Sequence, residues 1–253
     1  MHPYFAATKP YVLAHRGLTF ASNGDRLDEN TLPAFAAALD AGATHIETDI
    51  QVTSDGVPVI FHDDDLSRVA GRRILVADTT WADLQGIRLL SGGQIPSLAQ
   101  ALEAFPQARF NIDFKVSGVI QSACQVISDH DAASRVLVAS FSDSRRRKVK
   151  ALLPESATSA GAAVLISLWL AHRLHLAPWF KRLAKEIDAL QIPVSQGPLR
   201  FDSPGFVRAV IGAGLELQFW TINEPTEMQR LVSLGATGVV TDRTDVAVAA
   251  LRP

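Results

Sequence analysis

Eight short apolar segments, each followed by a helix-like stretch, constrain this chain more than any other feature of its sequence. They begin at Tyr11, His45, Arg109, Arg135, Ala157, Asp188, Glu216 and Gly238. The intervening stretches carry helix punctuation. Pro33 stands in a first turn with Gly42 past the helix end, and Ser97 is placed to cap a helix through Ala104. Pro204 and Pro225 open helices that stop at Gly214 and Gly235. Repeated strand–helix units give a parallel sheet covered by helices. Eight of them in 253 residues fit a closed (β/α)8 barrel of the TIM type better than an open sheet. An additional strand, 57–61, follows the Asp55-Gly56 turn, and the irregular polar stretch of about 63–95 reads as an insertion after the second barrel strand. No linker rich in Pro, Gly or Ser divides the chain, so residues 1–253 read as one barrel domain.

The balance of charge narrows the function. A formal net charge of −2 gives no basic footprint for nucleic acid. The single basic run, Arg145-Arg146-Arg147-Lys148, reads as a solvated helix face. Cys124 is the only cysteine, which rules out an intramolecular disulfide and a cysteine-based metal site. The opening MHPYFAATKP lacks the basic-then-apolar order of a signal peptide, and the expectation is a cytoplasmic enzyme. The apolar stretch 162–180 is interrupted by His172, Arg173 and His175, leaving too short a run to span a bilayer. It reads as a helix on the barrel, with contact to a lysolipid or membrane surface as a sharper alternative.

In such a barrel the chemistry lies at the C-terminal ends of the strands, and unusual polar residues gather there. His15 and Arg16 end the first strand. Glu47 and Asp49 end the second and share one face. Asp113 and Lys115 end the third in the same way, Trp220 ends the seventh, and His62-Asp63 follows the additional strand. Three converging carboxylates repel one another unless a divalent cation or raised pKa values neutralise them. Hard oxygen ligands suit Mg²⁺ or Ca²⁺. An acidic metal site flanked by Arg16 and Lys115 is what a phosphate ester needs, and His15 and His62 can exchange protons near neutrality. Asp63 serves to orient His62. Trp220 is either core or a stacking surface for glycerol or a choline head group. Asn223 is expected to cap the helix near Pro225 and Asp242 to be a cap or turn residue outside the site, while His45 reads as packed.

The series His15-Arg16-Gly17, Glu29-Asn30-Thr31, Glu47-Thr48-Asp49, His62-Asp63, Asp113-Phe114-Lys115 and Trp220-Thr221-Ile222-Asn223 resembles the glycerophosphodiester phosphodiesterase family, in family order and over almost the whole chain. The resemblance implies a metal-dependent (β/α)8 hydrolase that cuts a glycerophosphodiester into glycerol 3-phosphate and an alcohol. By position, Glu47, Asp49 and Asp113 match the metal ligands, His15 and His62 the acid–base pair, and Arg16 and Lys115 the phosphate contacts. Glu29 and Asn30 match the motif that orders the loop around the site, and 63–95 matches the family's insertion. Two departures stand out. Asp113 replaces a usual Glu, one methylene longer. The connection 18–28 is longer than usual, with Asp28 where proline is common. The rival readings are a lysophospholipase D or sphingomyelinase D-like head-group phosphodiesterase, and a barrel that binds phosphodiesters without cleaving them.

Overall fold

The computed structural model describes residues 2–21 and 23–252. Eight parallel strands form the barrel: β1 (Tyr11–His15), β2 (His45–Val52), β4 (Phe110–Phe114), β5 (Val136–Ala139), β6 (Ala157–Thr158), β7 (Ala189–Pro193), β10 (Glu216–Trp220) and β11 (Gly238–Thr241). Around the sheet they run β6-β5-β4-β2-β1-β11-β10-β7. The two ends meet through a parallel bridge, Ser159 with Ala189, so the barrel is nearly closed. β3 (Pro58–Ile60) is the additional strand, antiparallel to β2, and β8 (Ser195–Gln196) forms a small hairpin with β9 (Leu199–Arg200). Three barrel strands begin one residue later than the sequence suggests, at Phe110, Val136 and Ala189. Arg109, Arg135 and Asp188 are polar approach residues rather than strand.

The helices are α1 (Leu32–Asp40), α2 (Ser67–Ala70), α3 (Trp81–Gln85), α4 (Leu98–Ala104), α5 (Ile120–Asp129), α6 (Asp143–Leu152), α7 (Ala162–Arg173), α8 (Ala177–Ala184), α9 (Pro204–Gly212), α10 (Pro225–Leu234) and α11 (Thr244–Leu251). Their starts follow local chemistry. Thr31 accepts from Ala34 N ahead of Pro33, and Ser97 with Gln100 forms a reciprocal capping box. Apolar side chains on the outer faces of the strands pack against the helices in two large clusters, one around β2 and β4, the other around β7 and β10. A smaller interior cluster of Tyr4, Phe5, Tyr11, Leu13, Leu137, Ala157, Ala189 and Val240 fills the barrel. The segment between β3 and α4 carries α2 and α3 and has its own apolar cluster around Leu66, Val76 and Leu84.

The stretch 162–180 forms α7 and the start of α8, broken at 174–176; it packs through Val164, Leu165, Leu168 and Ala171, while Leu170, Leu174 and Trp179 stay exposed. Among the described residues no helix is long and apolar enough to cross a membrane. The basic run differs from expectation. Arg147 and Lys148 face solvent, but Arg146 is 1 % exposed, beside Asp143 and donating to Glu186 O. Arg145 turns inward too, donating to Phe114 O at the end of β4. The helical repeat cannot keep four consecutive residues on one face.

Candidate active site

Strand register assembles the site. His15 pairs with Glu47 across β1 and β2, and Asp49 with Asp113 across β2 and β4. Directly after β1 the chain turns sharply: Arg16 has φ 60° and Gly17 φ 86°. A Cβ on Gly17 would lie 2.8 Å from the backbone of Ala34, so only glycine allows α1 this close to the strand end. The turn is locked by Asn30, whose backbone N–H donates to Arg16 O at 2.8 Å.

The result is a cavity of about 350 Å³ lined by His15, Arg16, Glu47, Asp49, His62, Asn111, Asp113, Lys115 and Trp220, with Phe141, Leu165 and Ile166 as an apolar wall. All eight residues singled out from the sequence therefore meet in one place. Trp220 lies at the wall with its ring 6.1 Å from that of Phe141, edge to face.

Both histidines are held by carboxylates. His15 Nδ1 lies 2.6 Å from Asp242 Oδ1, and His62 Nδ1 lies 2.6 Å from Asp63 Oδ1. An ionised carboxylate only accepts, so each Nδ1 carries the proton and each Nε2 is left for other partners. Burial disfavours a charged His15, but the Asp242 hydrogen bond and the nearby Glu47 outweigh it and raise its pKa. Asp63 and Glu29 are in turn bridged by Arg68, with contacts of 2.7 to 2.9 Å.

Asp242 is a functional neighbour that the sequence reading left out. Asn223 does not cap α10, whose cap position is Glu224 with no side-chain bond. Its amide donates to Asp242 Oδ2, and its carbonyl oxygen accepts from Asp242 N and Thr241 Oγ1. It is a clamp on the carboxylate that holds His15.

The acidic floor is tightly packed. Lys115 Nζ sits 2.8 Å from Asp49 Oδ1 and 2.7 Å from Asp113 Oδ2, and Arg16 Nε is 3.3 Å from Asp49 Oδ2. Arg16 also donates to Glu29. Burial first, and Asp49 second, push the Glu47 carboxyl well above the usual carboxylate range. Burial raises Asp113 despite Lys115. Among the described residues no three His, Cys, Asp or Glu side chains are grouped closely enough to hold a metal ion, and the Lys115 ammonium contacts both Asp49 and Asp113. Two carboxylate oxygens, Glu47 Oε2 and Asp113 Oδ1, are buried without a hydrogen-bond partner. His45, on the same strand face as Glu47, is a core residue bonded to Tyr4 O, and burial lowers its pKa to about 3.

A second cavity of about 720 Å³ shares His15, Arg16 and Asp242 and is bounded by Thr19, Arg26, Asp28, Glu29, Arg68 and Ser91. The longer connection 18–28 forms part of its wall. Asp28, at the position where proline is common, accepts from Ser91 N and Gly93 N and fastens the connection to the segment after α3.

The model of the Glycerophosphoryl diester phosphodiesterase family matches residues 15–246. The chain belongs to the glycerophosphoryl diester phosphodiesterase family. Family members of this name are phosphoric diester hydrolases, and the chain is an enzyme of that class. A "Probable glycerophosphodiester phosphodiesterase 2" of Mycobacterium tuberculosis is 37 % identical over 235 residues, covering 92 % of this chain and 88 % of the relative. A phosphodiesterase of Oleispira antarctica, solved in complex with the product sn-glycerol 3-phosphate, superposes with a TM-score of 0.77 at 28 % identity, over 96 % of each chain. A rat lysophospholipase D is 24 % identical over 269 residues, covering 91 % of this chain and 82 % of the relative.

Proposed function

We propose that this glycerophosphodiester phosphodiesterase is cation-dependent and works through His15 and His62 as its acid–base pair, releasing glycerol 3-phosphate and an alcohol. The observation that carries the reading is that two imidazoles, each fixed through Nδ1 by a carboxylate, line one cavity that also holds Arg16 and Lys115. One imidazole takes a proton from the attacking oxygen and the other gives one to the departing alkoxide. Arg16 and Lys115 hold the anionic phosphate oxygens and meet the charge that grows in the transition state. Trp220 supplies a flat apolar surface for the substrate beside that phosphate.

The donor set fits a hard cation. Glu47, Asp49 and Asp113 are all oxygen ligands, and two of their buried oxygens have no other partner. These three residues would hold Mg²⁺ or Ca²⁺. A bound cation supplies charge neutralisation at the phosphoryl group. Lys115, beside Asp49 and Asp113, would meet a phosphate oxygen held next to such a cation.

Glycerol 3-phosphate release from glycerophosphocholine by metal-stripped protein, with Mg²⁺, Ca²⁺ or neither, tests this. Release only with a cation supports it, and folded protein that releases nothing with either ion sinks it. One observation favours a second reading, lysophospholipase D activity: the apolar wall of Phe141, Leu165 and Ile166 can accommodate an acyl chain. Choline release from lysophosphatidylcholine at a rate matching the soluble diester would support it.

A further inference from the structure

We infer that Asn111 and Gln191 read the two free hydroxyls of the glycerol arm, and so set a preference for glycerol diesters over plain alkyl ones. The inference rests on the proposed release of glycerol 3-phosphate for the identity of the ligand. Asn111 lies on β4 in register with Glu47, two residues before Asp113 on the same strand face. It is 3 % exposed, and its Oδ1 has no hydrogen-bond partner. Gln191 lies on β7, with β5 and β6 between its strand and β4 around the barrel. Its Nε2 is buried and likewise without a partner. Both side chains line the catalytic cavity.

Apart from Glu47 and one oxygen of Asp113, which the cation reading takes up, the charged side chains of that cavity are paired with one another. His15 is tied to Asp242, His62 to Asp63, Arg16 to Glu29, and Lys115 to Asp49 and Asp113. The two amides are not so engaged. A buried amide group without a partner is costly, and the cost is removed by a ligand that supplies one. The amides present complementary halves: Asn111 Oδ1 accepts and Gln191 Nε2 donates. A vicinal diol answers both, because each hydroxyl can donate and accept. Its carbon edge is left for the apolar wall of Phe141 and Leu165. A propyl arm fills the same space and leaves both amides unpaired. Sites built to bond a hydroxyl discriminate strongly against analogues that lack it.

The test is binding of sn-glycerol 3-phosphate and n-propyl phosphate, by titration calorimetry in Mg²⁺ buffer, to wild type, Gln191→Leu and Asn111→Ala. Melting temperatures control for folding, and the near-isosteric Gln191→Leu keeps the test open should Asn111→Ala misfold. Wild type is expected to bind glycerol 3-phosphate about tenfold or more tightly than propyl phosphate. Each variant should narrow that ratio about fivefold by weakening glycerol 3-phosphate alone. Equal affinity of wild type for the two ligands overturns the inference, as does a variant that weakens both equally. The ratio is read from binding. A wild type that shows it but releases no glycerol 3-phosphate from a diester overturns the proposed reaction at this site and leaves this inference standing.

Discussion

His15 Nδ1 and Asp242 Oδ1 lie 2.6 Å apart although 227 residues separate them in the chain. The first and last strands of the barrel are neighbours, and Ala14 pairs with Thr241, so the residues that follow them meet. Asp242 fixes the imidazole so that Nε2, not Nδ1, is presented for proton transfer, and it stabilises the charged form. Asp242→Asn should therefore lower kcat on the order of 10²-fold with little change in KM and unchanged far-UV circular dichroism. Steady-state kinetics on glycerophosphocholine checks this. An unaltered kcat would reduce Asp242 to a turn residue, as its sequence context suggests.

Most of the barrel and of the site could be read in the sequence because the signals are local. A buried strand that ends in His-Arg-Gly or Glu-Thr-Asp announces itself, and a parallel barrel sends all such ends to one rim. Asp242 and Asn223 carried no such signal. Each looks like an ordinary turn or cap residue, and only closure of the barrel makes Asp242 face His15. A closed barrel pairs the ends of its first and last strands, and that pairing is the signal that places Asp242 beside His15. The inward turn of Arg145 and Arg146 is hidden in the sequence for a different reason. Their inward turn depends on which side of α6 meets β4 and α7, which composition does not encode. Asn111 and Gln191 are silent in the sequence, since an uncharged polar residue inside a strand gives no sign of lacking a partner.

Removal of either imidazole should be severe. His15→Ala and His62→Ala are each expected to cut kcat by about 10²–10⁴-fold while the melting temperature stays within a few degrees of wild type, since both side chains sit at the rim rather than in a core cluster. Near-wild-type turnover in either variant would refute the paired assignment.

Asp113 is one methylene shorter than the glutamate usual at this position, and its Oδ1 is buried without a partner while Oδ2 is held by Lys115. Asp113→Glu restores the methylene and gives the carboxylate a longer reach. The expected outcome is a lower half-saturating Mg²⁺ or Ca²⁺ concentration for glycerol 3-phosphate release, with kcat at saturating cation changed less than threefold or so. Titration of cation into stripped wild type and variant reads both quantities. A fall in kcat with no shift in cation dependence would argue that position 113 serves Lys115 rather than a metal.

Asp202 provides a pH dependence remote from the chemistry. Its buried carboxylate accepts from Arg200 at 2.7 and 3.0 Å and from Arg230 at 2.8 Å, joining β9 to α10. Burial alone would raise its pKa, but the two guanidinium groups outweigh it and hold the value below 3.8. A carboxyl that binds its proton less readily folded than unfolded adds stability above the unfolded value and loses it as pH falls through the folded one. Both arginines are largely exposed, so solvent screening limits the contribution to about 1 kcal/mol. Asp202→Asn should therefore be less stable than wild type by roughly that amount between pH 5 and 7. The gap should shrink steadily below pH 4, where the wild-type carboxylate takes up its proton. Urea unfolding of both proteins across this range measures it, and a gap that persists undiminished at pH 2.5 would show that the asparagine acts through packing and not through the lost charge.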